Sequence, residues 1–174
     1  MAITRLPLGT AVSGNLDLAS NVTGTLPRAN ATSGSVIQVA RTAANVSSPI
    51  TTSSSSLVGS GIQVSLTPTA SGNVILVDFV SSMADHNQAT NLRGKFYRKI
   101  GTGSFNDAGG EQYEIGYNTT TNTYAPLSAS VSFTTTSTDT VTYEVYFRSN
   151  TTSESRLVHG GASYALTMME IAPW

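Results

Sequence analysis

Val141-Thr142-Tyr143-Glu144-Val145-Tyr146-Phe147-Arg148 alternates two kinds of side chain along its whole length. In an extended backbone successive side chains point to opposite faces, so the alternation sorts these residues onto two surfaces, the pattern of a half-buried β-strand. The spacing predicts Val141, Tyr143, Val145 and Phe147 on a core and Thr142, Glu144, Tyr146 and Arg148 in solvent. Ile62, Val64 and Leu66 alternate in the same way with Gln63, Ser65 and Thr67, and Ala129, Val131 and Phe133 with Ser130 and Ser132.

Residues 73–83 read differently, because Val74, Ile75, Leu76, Val77, Phe79 and Val80 are apolar on both faces. Such a strand belongs at the centre of a sheet, covered on both sides, or against a neighbouring subunit. Asp78 lies inside it, and a buried carboxylate without a partner is costly. An Arg or a row of hydroxyls is therefore expected beside it. Further runs at Val36 to Arg41, Lys95 to Ile100, Gln112 to Gly116 and Tyr164 to Ile171 bring the strands to about eight, each bounded by Gly, Pro, Asn or Ser clusters. No helical stripe interrupts them. The fold class that follows is all-β, with a jelly-roll-like β-sandwich as the architecture that eight short strands fit.

Composition narrows the function classes. Charged residues are 11% of the 174, against about 25% in an ordinary soluble domain, while 39% are hydrophobic and the net charge is −1. A core is expected rather than disorder. Nine Lys and Arg against ten Asp and Glu give no basic field for a nucleic-acid backbone, so no nucleic acid is expected as a partner. The absence of cysteine excludes disulfides, thiolate metal sites and thiol catalysis. Met1-Ala2-Ile3-Thr4-Arg5-Leu6-Pro7 lacks the apolar run of a secretory leader. Val74 to Val77, the longest apolar run, is far short of the roughly 18 residues of a spanning helix, so no membrane insertion is expected.

Residues 1–35 stand apart from the rest. They contain no aromatic residue, and Leu6-Pro7, Ala11 and Ser13-Gly14 recur as Leu26-Pro27, Ala31 and Ser33-Gly34 at an offset of 20. Proline and glycine at this density oppose a helix, and an extended segment ordered by partners is expected ahead of a head domain at 36–174.

Few residues invite catalysis. His86 and His159 are the only histidines, no G-x-S-x-G elbow occurs, and Gly101-Thr102-Gly103 is followed by Asn106 where a dinucleotide fingerprint needs a third glycine. Asp107, Glu111 and Glu114 fall in one Gly-rich stretch without the second carboxylate cluster that glycan cleavage requires. Asp78, Asp85, His86 and His159 lack metal-ligand spacing. The expectation is a protein that is not an enzyme and uses no metal and no cofactor. Arg93, Lys95, Arg98 and Lys99 gather four of the nine cations. A strand there places Lys95, Tyr97 and Lys99 on one face and Phe96, Arg98 and Ile100 on the other; it reads either as an anion or polysaccharide contact or as a charged strand guarding a sheet edge. The five N-x-S/T triplets are near the number this composition produces by chance. A long loop is expected from Gly101 to Pro126, carrying Phe105, Tyr113, Tyr117 and Tyr124, the aromatic and amide mixture that recognition loops use.

Asn15-Leu16-Asp17-Leu18-Ala19-Ser20-Asn21-Val22-Thr23-Gly24-Thr25-Leu26-Pro27-Arg28-Ala29-Asn30 closely resembles the recurring connector of bacteriophage tail fibres. Where that connector usually runs into Gly-Gly-Thr-Gly, this chain continues Ala31-Thr32-Ser33-Gly34-Ser35. The remainder, notably Gly61 to Val77, Phe96 to Gly101, Thr140 to Tyr146 and Leu166 to Ala172, is similar to small β-rich heads at the carboxyl ends of tail-fibre and other virion proteins. The resemblance implies a homotrimer with an extended amino-terminal stalk, on the exterior of the virion at the phage tail and made in the host cytoplasm. Leu6, Pro7, Leu16, Leu18, Val22, Leu26 and Pro27 become candidates for attachment to tail or baseplate proteins. Tyr117, Asn118, Asn122 and Tyr124, with Arg93 and Lys95 as a second patch, become candidates for binding a host surface glycan or protein. The alternative is a capsid decoration or cement protein that stabilises the phage head.

Overall fold

Period-two segments become strands wherever their apolar side has a sheet to cover, and with three short additions the described residues form eleven strands: β1 (Val36–Asn45), β2 (Ile50–Thr52), β3 (Val58–Leu66), β4 (Val74–His86), β5 (Asn91–Ile100), β6 (Asn106–Asp107), β7 (Tyr113–Tyr117), β8 (Thr123–Thr134), β9 (Val141–Ser149), β10 (Ser155–Val158) and β11 (Ser163–Ile171). The chain divides into two units, Met1–Ala31 and Thr32–Trp174, and these eleven strands belong to the second. The computed structural model describes residues 32–86, 91–108, 113–117, 123–150 and 152–173, with the backbone alone for 85, 86, 91, 113–117 and 123. The stalk expected at 1–35 lies outside these residues except for its last four positions. Among the described residues there is no helix, and none is long and apolar enough to cross a membrane.

Every strand pair is antiparallel, and the strands form two sheets. In the first, β1 pairs β11, β11 pairs β4 and β4 pairs β8, while the short β10 and β2 extend the far end of β4. In the second, β3 pairs β9 and β9 pairs β5, whose other edge is shared by β7 and β6. Setting aside the short β2, β6 and β10, the first long strand pairs the last, the second the seventh, the third the sixth and the fourth the fifth. A hairpin of eight strands wrapped in that nested order is a jelly roll.

Both sheets supply the core. Ile62, Val64 and Leu66 of β3, Ile75, Val77 and Phe79 of β4, Leu92 and Phe96 of β5, Val141, Tyr143, Val145 and Phe147 of β9, and Leu166 and Met168 of β11 are all buried. Each large apolar side chain removed from water contributes roughly 1.5–3 kcal/mol. Phe96 meets Tyr143 edge-on, with centroids 6.3 Å apart. Arg98, which shares the inner face with Phe96, lays its guanidinium 3.7 Å from the centre of the Phe133 ring and donates to the Tyr143 hydroxyl at 3.4 Å. Burial of Tyr143 pushes its phenol above the ordinary value of 10.0, and Arg98 works in the opposite direction.

Three expectations change. The outer face of β9 is not solvated: Thr142 and Glu144 are buried and Tyr146 and Arg148 half-buried, because side chains of β3 and β5 lie across this inner strand. β5 guards no edge, being flanked by β9 on one side and by β7 and β6 on the other. Residues 101–126 are not one long loop, since β6, β7 and the start of β8 fall within them. β4 does take the central place its sequence called for, and Asp78 lies between Thr167 and Ser130, with Arg41 beyond Thr167 in the same row.

One buried carboxylate ties the turn after β3 to the first sheet. Glu170 has no exposed surface and accepts hydrogen bonds from Gln38 Nε2 (2.5 Å), Thr69 N (2.7 Å), Thr69 Oγ1 (2.8 Å) and Asn73 Nδ2 (2.6 Å). Burial alone would raise its pKa, but these donors outweigh burial and hold it below the ordinary 4.5. A depressed carboxyl contributes stability that is present above the unfolded-state value and lost as pH falls through the folded one. Glu170→Gln, which turns an amide N–H₂ toward these donors, is expected to cost about 2–3 kcal/mol at neutral pH. Thermal melts should show the gap between wild type and variant shrinking below pH 4.5; a gap independent of pH would contradict this role.

Candidate functional site

The outer face of the second sheet gathers a set of half-buried aromatic and charged side chains around the buried Thr142 and Glu144. Alternation along β5 sends Arg93, Lys95, Tyr97 and Lys99 to this face, and alternation along β9 sends Thr142, Glu144, Tyr146 and Arg148 there. Their register places Arg93 beside Arg148, Lys95 beside Tyr146, Tyr97 beside Glu144 and Lys99 beside Thr142. From β3, Gly59 lies opposite Tyr146, Gln63 opposite Glu144 and Ser65 opposite Thr142. From β6, Asp107 lies opposite Tyr97.

Aromatic rings form the centre of this face. Tyr97 and Tyr146 stack with centroids 4.0 Å apart and planes 20° from parallel, and Phe105 leans on Tyr146 at 6.1 Å. Lys99 holds its ammonium 5.0 Å from the centre of the Phe105 ring. Lys95 forms an ion pair with Asp107. Burial, helped by the charge of Glu144 and by Tyr97, raises the Tyr146 phenol above 10.0, so its O–H remains protonated and able to donate at neutral pH.

Glu144 is the hinge of the arrangement. Its Oε1 accepts from Gly61 N at 2.9 Å and its Oε2 from Gln63 Nε2 at 2.7 Å, so a 5% exposed carboxylate is satisfied by neutral donors. Gly61 makes its bond possible by a left-handed φ of 76° at the bulge between Gly59 and Gln63, a conformation that glycine adopts without strain. Gly59 leaves room for the carboxylate itself: a Cβ there would overlap Glu144 Oε1 and stand 3.5 Å from Tyr146 Cζ.

The residues expected to form a site are scattered by comparison. Arg93 and Lys95 are on this face. Tyr124 is on the first sheet, 49% exposed, with its ring edge-on to His159 at 5.0 Å. Tyr117 is placed by its backbone alone, at the end of β7 opposite Asn91, and Asn118 and Asn122 lie outside the described residues. So do Leu6, Pro7, Leu16, Leu18, Val22, Leu26 and Pro27. Tyr97, Tyr146, Phe105, Gln63 and Glu144 do not read as one group in the sequence, because alternation shows which face a residue takes but not which strand lies next to it. Among the described residues no three His, Asp or Glu side chains could hold a metal ion.

No family model matches this chain, and no curated protein matches it. Among solved structures there is a faint likeness to a chain of the infectious bursal disease virus Gx strain, 14% identical over 77% of this chain, with a TM-score of 0.37. This chain spans 33% of that one. The CBM22-1 xylan-binding domain of Xyn10C from Paenibacillus barcinonensis is 15% identical, covering 83% of this chain and 99% of that domain, with a TM-score of 0.30. Neither likeness carries an argument about what this head does.

The contact at Gly59 gives the arrangement a direct test. Gly59→Ala is expected to cost about 1–3 kcal/mol through overpacking and to alter the near-ultraviolet circular dichroism of the tyrosines as Glu144 is displaced. An unchanged melting temperature and spectrum would mean that Glu144 moves aside freely.

Proposed function

We propose that the protein is a structural component of a phage virion, a tail fibre or tail-tip protein that attaches through its amino-terminal segment and binds a host surface glycan through the outer face of the second sheet. The observation that carries this reading is the Tyr97–Tyr146 stack with Phe105 against it. Aromatic rings on a rigid sheet give a sugar ring apolar contact at little entropic cost. Around them stand the carboxamide of Gln63 and the ammonium group of Lys99, groups suited to sugar hydroxyls and to acidic substituents, while the Lys95 ammonium is held by Asp107. The connector resemblance of residues 15–30 supports placing the chain in a virion. A shallow site on a sheet binds weakly, and several heads presented together raise the avidity.

A glycan array probed with the full chain is the test. Tyr97→Ala and Tyr146→Ala are each expected to weaken binding to the best ligand by about tenfold or more, roughly 1.4 kcal/mol, with the far-ultraviolet spectrum of the fold retained. Tyr124→Ala should leave binding unchanged. Loss in Tyr124→Ala with full binding in the two sheet variants would move the site to the other side of the sandwich and overturn this assignment.

A further inference from the structure

We infer that the free edge of β8 pairs with the same edge of a second copy of this chain, so that the first sheet runs on from one head into the other. Among the described residues β8 pairs with no strand but β4. Every second residue along it therefore turns a backbone N–H and C=O away from the sheet. An edge of this kind is a template for another strand, and proteins that stay apart blunt it with charge, proline, a bulge or shortness.

The other edges of the two sheets carry such devices. β1 has Arg41 and a register shift between Val36 and Gln38, β3 a bulge between Gly59 and Gln63, and β7 a shift opposite Asn91 and Leu92. β2 and β6 are three and two residues long. β8 has no such device over Leu127-Ser128-Ala129-Ser130-Val131-Ser132-Phe133-Thr134, which contains neither charge nor proline and pairs with β4 from Leu127 opposite Ser81 to Thr134 opposite Val74 without a break. Its core side is unfinished as well. Ile75, Val77 and Phe79 of β4 are buried, whereas Phe133, Val131 and Ala129, which stand beside them in the same rows, are half-buried. A further strand alongside β8 would cover their open flank.

The sequence of the edge indicates that this strand is β8 of another copy. A twofold axis perpendicular to the sheet at Val131 lays the two strands antiparallel and keeps core side with core side. Val131 then stands opposite the partner's Val131, Ala129 opposite the partner's Phe133, Ser128 opposite the partner's Thr134 and Ser130 opposite the partner's Ser132. On the core side a small residue meets a large one, on the outer side hydroxyl residues meet each other, and no charge is set against its like. Such cross-strand pairs favour a ladder. The contact is isologous and closes at two, giving a sheet in which the four long strands of one head continue into the four of its partner. A ladder of seven residues is a small interface, so a concentration-dependent dimer is expected. This inference is independent of the glycan site, which is on the opposite sheet, and it departs from the three copies that the tail-fibre resemblance implies.

Sedimentation equilibrium of the full chain tests it, with thermal melts confirming that each variant is folded. The expected result is a monomer–dimer equilibrium. Ser128 and Thr134 are exposed on the outer side, and Ser128→Lys with Thr134→Lys sets lysine against lysine twice, which should weaken the dimer by about tenfold or more. Ser128→Lys with Thr134→Glu sets lysine against glutamate and should retain it. Because the chain has no cysteine, Val131→Cys treated with copper phenanthroline should give a disulfide-linked dimer across the axis, whereas Thr134→Cys, about 20 Å from its own copy, should not. A monomer at every concentration, a trimer, equal weakening by both double variants, or cross-linking at position 134 rather than 131 would overturn the inference.

Discussion

The constraint on which the head depends is that β9 is covered on both of its faces. Inward, Val141, Tyr143, Val145 and Phe147 anchor the core between the sheets. Outward, Glu144 is fixed by Gly61 and Gln63 of one neighbour, while Tyr146 stacks on Tyr97 of the other. A strand held this way cannot slip by one residue without exchanging core for surface along its whole length. The outer face of the second sheet therefore inherits the register of the core, and the Tyr97–Tyr146 stack is set by the same pairing that buries Tyr143.

The two outer faces of the sandwich differ in their chemistry, and that difference organises the functional reading. The second sheet presents stacked tyrosines, amide and ammonium groups, and a carboxylate engaged by neighbours. The first presents valine, methionine, isoleucine and alanine on β1, β11 and β4, crossed by Arg41 and Asp78, and beside them the exposed Ser128, Ser130, Ser132 and Thr134 of β8. Glu170, at the end where the chain enters the first strand, holds Gln38, Thr69 and Asn73 to β11 and so couples the edge of the first sheet to the turn that leads from β3 to β4.

The eight period-two or apolar runs read from the sequence correspond to the eight long strands of the jelly roll, because a strand buried on one face repeats every second residue and a central strand such as β4 reads as an apolar run. The short β2, β6 and β10 have two to four residues each, too few to show a period. Topology was not legible, since alternation assigns a face and not a neighbour. The same ignorance of neighbours made Lys95 look like an edge guard and made Glu144 look solvated. Tyr97 and Tyr146 were each visible as outward residues, yet only the pairing of β5 with β9 brings their rings together.

The measurement that bears most directly on the central claim is electron cryo-microscopy of intact particles carrying the protein, decorated with an antibody to the head. Label confined to the tail is the predicted result, and there the second sheet should face outward. Label spread over the capsid would contradict receptor binding as the main function and make the protein a stabiliser of the shell.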